Sequence, residues 1–399
     1  MILYEYSFEI MNDTTDVPRT LRYWFALFVS SLVSIVIALI IIVLSWYILW
    51  KLILCKFGVL RALLQIAKTS SSRMSKRYRF PYIRTFSLFG LSSFVTYLYV
   101  RASEIQKYSL CTPNEAWYRS LPMRESSRVW SKVLSINIYP KQLRPILYTY
   151  FCKIFDADIE ECEYSQELTR YKNFGQFFRR NLRDGIRPID NQSTVVSPCD
   201  GEVLETGLVT SDQLNIVIKG VPYTIKDLFQ LDKNEFNRLL AKQIKSSLFY
   251  CCIYLNPGNY HHFHSPASWT ISERRHITGE LMSVRPEFIL WIPNLLLLNE
   301  RVVYIGRYLK GLMTMTMIGA TNVGSIDVYF DKTLKTNQKV DDYTFRIWKE
   351  YFSSNEKFEK GQSFGEFKMG SCIVLLFEAP SNFQFRCHEG DKILVGQGL

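Results

Sequence analysis

Twenty-eight consecutive positions, from Tyr23 to Trp50, carry no charge, and their centre reads Ile35-Val36-Ile37-Ala38-Leu39-Ile40-Ile41-Ile42-Val43-Leu44. A helix of about 20 apolar residues crosses a hydrocarbon core of roughly 30 Å, so this run predicts a transmembrane helix. Tyr23, Trp24 and Phe25 at one end and Trp46, Tyr47 and Trp50 at the other match interfacial aromatic belts. A second, weaker run, Thr85–Val100, spans sixteen residues diluted by Ser and Gly. It is read as a second span or as an interfacial helix. Beyond residue 101 the pattern changes. Trp117, Leu121, Val129, Trp130, Leu134, Leu143, Ile146, Leu147 and Phe151 recur at helical spacing, with Pro140 and Pro145 expected to break the stretch into short helices. Phe174–Leu182 reads as a further amphipathic helix. From Ser193 onward short β-branched runs alternate with turns: 193–196, 213–219, 248–255, 302–304, 313–318, 325–330 and 372–377. This rhythm predicts a mainly antiparallel β domain. The fold expected is α+β: a tail (1–22), a transmembrane helix (23–50), a basic loop (51–84), the second candidate segment (85–100), then a helical cap and β-rich catalytic domain (101–399).

Charge sharpens the membrane reading. Of the net +11, residues 51–84 hold nine cations and no acid, whereas 85–399 hold 37 cations against 33 anions. The basicity is local, which argues against a nucleic-acid-binding domain. It suits a collar on anionic headgroups, or an internal targeting-like segment rich in Ser and Arg. The positive-inside rule places this loop on the matrix or cytoplasmic side if both segments span, with the catalytic domain opposite. If only the first spans, everything downstream stays on the positive side. Nine scattered cysteines without a CxxC pair signal neither a disulfide framework nor a zinc ribbon, and are read as reduced and buried.

Three of the five histidines fall within Tyr260-His261-His262-Phe263-His264-Ser265-Pro266. In an extended chain 262 and 264 share one face and 261 the other. Zinc would need further ligands, and Cys251 and Cys252 fit no familiar spacing, so acid–base work is the better reading. Asp200 lies in the turn Ser197-Pro198-Cys199-Asp200-Gly201. Near the C-terminus Met369-Gly370-Ser371-Cys372 opens the apolar run Ile373–Phe377, where glycine permits backbone strain. Ser325 sits in a second Gly-Ser step and is read as a strand turn.

Taken in the order Asp, His, Ser, these segments resemble the phosphatidylserine decarboxylase family, whose motifs are an Asp-Gly turn, a YHxxH segment and a C-terminal Gly-Ser-Thr or close variant. The resemblance extends through Phe177-Phe178-Arg179, Arg187-Pro188-Ile189-Asp190, Gly279–Pro286, Asn299-Glu300-Arg301 and Gly319–Ser325, and covers roughly 115–399. YHHFHSP and GATNVGSI look closest to the eukaryotic mitochondrial branch.

The resemblance implies a self-processing lyase that makes phosphatidylethanolamine and CO2 from phosphatidylserine. Asp200 would orient His264, and His264 would take the proton of Ser371. The alkoxide would then attack the Gly370 carbonyl, cutting the chain into β (1–370) and α (371–399) chains that stay associated. Ser371 would become a covalent pyruvoyl group that binds the substrate amine as a Schiff base and accepts electrons. His261 is the implied proton donor to the α-carbon, His262 is structural, and no metal is called for. The implied setting is the mitochondrial inner membrane, catalytic domain facing the intermembrane space, with other endomembranes and homo-oligomers left open. Cys372 and Met369 depart from the usual Thr and Leu, and cleavage is still expected. Two other readings are an inactive membrane scaffold, made conceivable by Cys372, and a serine hydrolase, disfavoured by the missing GxSxG elbow. The apolar stretch Phe288–Leu298 is read as core, or as a segment dipping into the bilayer.

Overall fold

The computed structural model describes residues 80–109, 111–209, 214–236, 247–309, 311–321, 325–339, 346–368 and 370–399. The helix expected over 23–50, the tail before it and the basic stretch to residue 79 lie outside them. A helix spans Phe80–Tyr108 and contains the second apolar segment. No helix among the described residues is long and apolar enough to cross a membrane.

From Phe94 to Leu399 the chain forms one compact unit, and its helical cap follows from local capping chemistry. Thr112 accepts from the Glu115 N–H to start the helix Pro113–Ser120, and Asn173 does the same for Phe174–Phe178 through Gln176. Helices Met123–Leu134 and Leu143–Phe155 lie between. Pro145 does not break the second of these as expected. It sits in the first turn, where a missing N–H costs no hydrogen bond. Tyr148, Phe151, Phe177 and Phe178 pack one cluster, with Tyr148 and Phe177 stacked at 4.2 Å.

The strands, in chain order, are β1 Gly201–Leu208, β2 Asn215–Ile218, β3 Val221–Thr224, β4 Ser247–Leu255, β5 His262–His264, β6 Trp269–Ile277 and β7 Arg301–Tyr308. They continue with β8 Gly311–Ile318, β9 Ile326–Val328, β10 Ile347–Phe358, β11 Ser363–Phe367, β12 Ser371–Ala379 and β13 Lys392–Ile393. The main sheet runs in the order β10-β6-β7-β8-β12-β4-β1-β13, every pairing antiparallel. A hairpin pairs β2 with β3, and a small sheet joins β5, β11 and β9. β12 lies between β8 and β4 and is buried at every position. Ile373, Leu375 and Phe377 enter one core, while Cys372, Val374 and Leu376 enter the other. Cover on both faces explains why this strand reads as an unbroken apolar run.

Six expected strands appear, most with wider bounds. Residues 193–196 instead make a single bridge, Val196 to Gly398. β6 and β10 escaped the pattern because charges interrupt them. In β6, Arg274 and Arg275 are buried against Asp331 and Glu235, partners supplied only by the fold. The stretch 288–298 falls into two short helices, Pro286–Trp291 and Leu295–Leu298, with Ile289, Ile292, Leu295 and Leu296 buried. Leu290 and Trp291 are 65% and 43% exposed.

Candidate active site

Ser371 opens β12 directly opposite Leu255, the last residue of β4. The chain then makes a tight turn, with the Asn256 N–H donating to the Asn259 side chain and the Asn259 N–H to the Asn256 carbonyl. This turn returns His261 to the head of β12. The His261 Nδ1–H donates to the Asn259 carbonyl at 2.8 Å, which leaves Nε2 as the bare nitrogen. That Nε2 is buried without a hydrogen-bond partner among the described residues, and so is the hydroxyl of Ser371. A Cβ placed on Gly370 would stand 4.0 Å from His261 Nε2 and 3.5 Å from the Leu255 carbonyl. The imidazole therefore faces the Gly370–Ser371 step. Buried polar atoms are nearly always paired, so two such orphans beside one peptide bond make this step the candidate site, although core groups such as Thr314, Thr316 and Tyr223 are also left without a partner among the described residues. A Cβ at Gly370 would make only ordinary van der Waals contacts with the His261 ring and the Leu255 carbonyl.

Burial sets the charge of this imidazole. His261 is fully buried with its ring 4.1 Å from Phe178, and burial pushes its pKa from 6.5 to about 3. The Asn259 carbonyl opposes this, and the nearby Arg180 cation adds to it. The ring is neutral throughout the physiological range.

His262 and His264 lie on β5 and serve a second set of partners. His262 donates from Nε2 to the Arg179 carbonyl at 3.0 Å and accepts at Nδ1 from the Tyr329 hydroxyl at 2.7 Å. Its ring stacks on Tyr260 at 4.9 Å. His264 donates from Nδ1 to the Gly361 carbonyl at 2.9 Å and accepts at Nε2 from the Tyr260 hydroxyl at 3.2 Å. Burial lowers the pKa of His264, opposed by the Gly361 bond and by the charge of Asp200.

Asp200 sits immediately before β1. Gly201 is needed after it, because a Cβ there would come within 2.5 Å of the Tyr254 carbonyl on β4. The Asp200 oxygens accept from Arg187 at 2.6, 3.0 and 3.1 Å and from the Val395 N–H at 2.8 Å. The structure thus brings His261 against Gly370–Ser371, and places Asp200 within electrostatic reach of His264. Their own hydrogen bonds go elsewhere, to Arg187 and Val395 for Asp200, and to Gly361 and Tyr260 for His264. Ser325 contrasts with Ser371, for its hydroxyl donates to Asp327 at 2.7 Å.

Three partners escaped the sequence reading. Tyr260 adjoins the histidines and Arg187 opens the Arg-Pro-Ile-Asp segment, so both stood in motifs without an assigned role. Glu161, which grips the far side of Arg187, has no signal in the sequence. Among the described residues no group of His, Cys, Asp and Glu is arranged to hold a metal ion.

Comparison with known proteins now adds to the geometry. The profile of one family, described as phosphatidylserine decarboxylase, matches residues 174–399. The mitochondrial phosphatidylserine decarboxylase proenzyme of Pongo abelii is 35% identical over 336 residues, covering 78% of this chain and 81% of the relative. The Caenorhabditis elegans proenzyme of the same name is 38% identical, covering 71% and 72%. Proenzyme 1 of Saccharomyces cerevisiae, also named mitochondrial, is 32% identical, covering 71% and 73%.

Proposed function

Since the chain belongs to the phosphatidylserine decarboxylase family and is a carboxy-lyase, we propose that it is made as a precursor that cuts itself between Gly370 and Ser371 and then decarboxylates phosphatidylserine to phosphatidylethanolamine. The observation that carries the cut is the unpaired, buried Ser371 hydroxyl at the head of a central strand, while the bare His261 nitrogen facing residue 370 supports the proton work of the decarboxylation.

For the cut, the Ser371 hydroxyl gives its proton to His264 and attacks the Gly370 carbonyl carbon, and the peptide C–N bond breaks as the nitrogen takes up a proton. The tautomer of His264 supports the assignment, because Nδ1–H on Gly361 leaves Nε2 to accept once the Tyr260 hydroxyl moves aside. Asp200 acts through charge, favouring the protonated ring. The ester so formed loses the α-proton of residue 371 and eliminates the Gly370 carboxylate to give dehydroalanine. The imine tautomer of that residue takes up one water and releases ammonia, leaving pyruvoyl at residue 371. Ser371 fits as the source of that group, being buried, unpaired and held on both sides by β4 and β8 through its strand. The same strand pairing supports retention of the α chain by the β chain.

The pyruvoyl ketone would hold the substrate amine and take up the electron pair released with CO2. His261 does the proton work. Its bare Nε2 accepts a proton as the substrate amine is taken up and returns it to the α-carbon after CO2 leaves, with the negative charge of the bound substrate offsetting the burial that keeps the empty ring neutral. The exposed Leu290 and Trp291, beside Tyr118, support membrane contact near the cap. The names of the relatives support a mitochondrial setting, with the inner membrane and intermembrane-space face as the site proposed.

A denaturing gel and mass spectrometry test the cut. The expected result is a fragment of about 3 kDa, by the mean residue mass of the chain, beginning at residue 371. Intact chain that still decarboxylates, or a new terminus at Ser325, overturns it. Cyanoborohydride trapping of labelled phosphatidylserine on the small fragment separates the decarboxylase from a scaffold or a hydrolase. Unchanged Trp291 fluorescence on adding phosphatidylserine liposomes would refute membrane contact at that helix.

A further inference from the structure

Arg187 holds two carboxylates at once. Its Nε and Nη2 donate to Asp200, while Nη1 and Nη2 donate to Glu161 at 2.9 and 2.7 Å. The Asp200 side chain is 3% exposed and that of Arg187 10%, so this is a buried clamp and not a surface pair. Asp200 has no other charged hydrogen-bond donor among the described residues. Its remaining partner is the Val395 N–H, contributed by the segment that becomes the α chain. The His264 N–H donates to the Pro198 carbonyl at 2.7 Å, two residues before Asp200, and the groups that feel the charge of Asp200 include Cys199, Tyr260 and His264.

We propose that Arg187 is the positioning residue of the self-cleavage centre: its fork sets Asp200 against His264 and Tyr260, and Glu161 is the counter-carboxylate that fixes the fork. This rests on the self-cleavage reading above. Arg187 touches neither Ser371 nor the scissile bond, so it acts through Asp200 alone. Loss of the guanidinium leaves two carboxylates with no cation between them, one of them nearly out of water. Repulsion and desolvation then drive Asp200 out of place or into its neutral form. A purely structural arginine would make a different prediction. Removing its second partner as well would add damage, whereas here Glu161→Gln removes the repulsion and supplies an amide donor.

The experiment follows appearance of the small fragment from full-length precursor translated in the presence of membranes, for the wild type, Arg187→Lys, Arg187→Gln and Arg187→Gln/Glu161→Gln. Arg187→Gln is expected to slow cleavage about 100-fold, the scale of a misplaced catalytic group. Arg187→Lys, which keeps charge but not the fork, should fall between it and the wild type. The double variant should recover about tenfold over Arg187→Gln, the scale of one relieved like-charge contact. Methylguanidinium should speed Arg187→Gln but not the wild type. Cleavage of Arg187→Gln at the wild-type rate overturns the proposal, and so does a double variant slower than the single one. Melting temperatures of uncleaved chains exclude unfolding as the cause, since the two glutamine variants are compared with each other. A wild-type chain that never cleaves at 371 instead counts against the self-cleavage reading itself.

Discussion

Two buried histidines, fifteen residues apart, stand in opposite circumstances. His276 donates to Glu300 at 2.8 Å, and Glu300 also accepts the Asn337 N–H at 3.0 and 3.1 Å with Arg124 at 3.6 Å. The neighbouring Asn299 bonds Met282 twice and Gly319 once, and Arg301 donates to the carbonyls of Asp227, Leu228, Leu297 and Asn299. None of these side chains leaves a buried polar atom without a partner. At His261 the count does not close, because one ring nitrogen and the adjacent Ser371 hydroxyl are left over. The difference teaches how to read the motifs. Asn299-Glu300-Arg301 carries the family resemblance as firmly as the histidine segment does, yet its residues stitch β7 to neighbouring loops and short helices. The Glu300 network holds the fold, whereas the orphaned atoms of His261 and Ser371 are held by it.

The largest effect should come from the unsatisfied side. Ser371→Ala removes the hydroxyl proposed to attack Gly370, so no small fragment should form on a gel at any incubation time. His261→Asn should leave the cut in place and lower decarboxylation about 10²- to 10⁴-fold, the range for a lost acid–base group. Equal losses in both assays would show that His261 supports the fold instead.

Breaking the satisfied side should act on stability first. Glu300→Ala, made in the uncleavable Ser371→Ala chain, should cost about 3–5 kcal/mol by urea unfolding, since it leaves buried donors and a cation without their acceptor. A loss under about 1 kcal/mol would erase the contrast drawn above.

Acid should weaken the site more gently. His261, His262 and His264 all have pKa values lowered by burial, His261 from 6.5 to about 3. Each therefore binds a proton more readily unfolded than folded. Their contribution is complete above pH 6.5 and declines as pH falls toward 3. The urea midpoint of the Ser371→Ala chain should drop between pH 7 and pH 5, and His261→Asn should shrink that drop. A midpoint that rises on acidification contradicts the sign.

Cys372→Thr should matter least. The Cys372 sulfur lies 3.2 Å from that of Cys252 in a core with no exposed surface, which Thr fills at similar volume. Cleavage should still go to completion, with a stability change below about 1.5 kcal/mol. Cleavage that occurs in the Cys372→Thr variant and fails in the wild type would make this position part of the chemistry.

The sequence by itself determined the class of fold and picked out the candidate chemistry-bearing residues. Apolar runs such as Ile373–Phe377, and the linear order of Asp200, His261, His264 and Ser371, are local properties that need no partner to be read. Tertiary structure alone decided which of them meet. β4 and β12 pair so that Leu255 ends opposite Ser371, and the 256–259 turn then aims His261 at residue 370. The fold likewise gave Asp200 to Arg187, and Arg187 to Glu161, 26 residues away. Strand β6 was hidden for the same reason, since a buried Arg274 reads as polar until Asp331 arrives beside it. Burial and hydrogen-bond satisfaction are sums over neighbours, and a linear pattern carries only those neighbours that lie close along the chain.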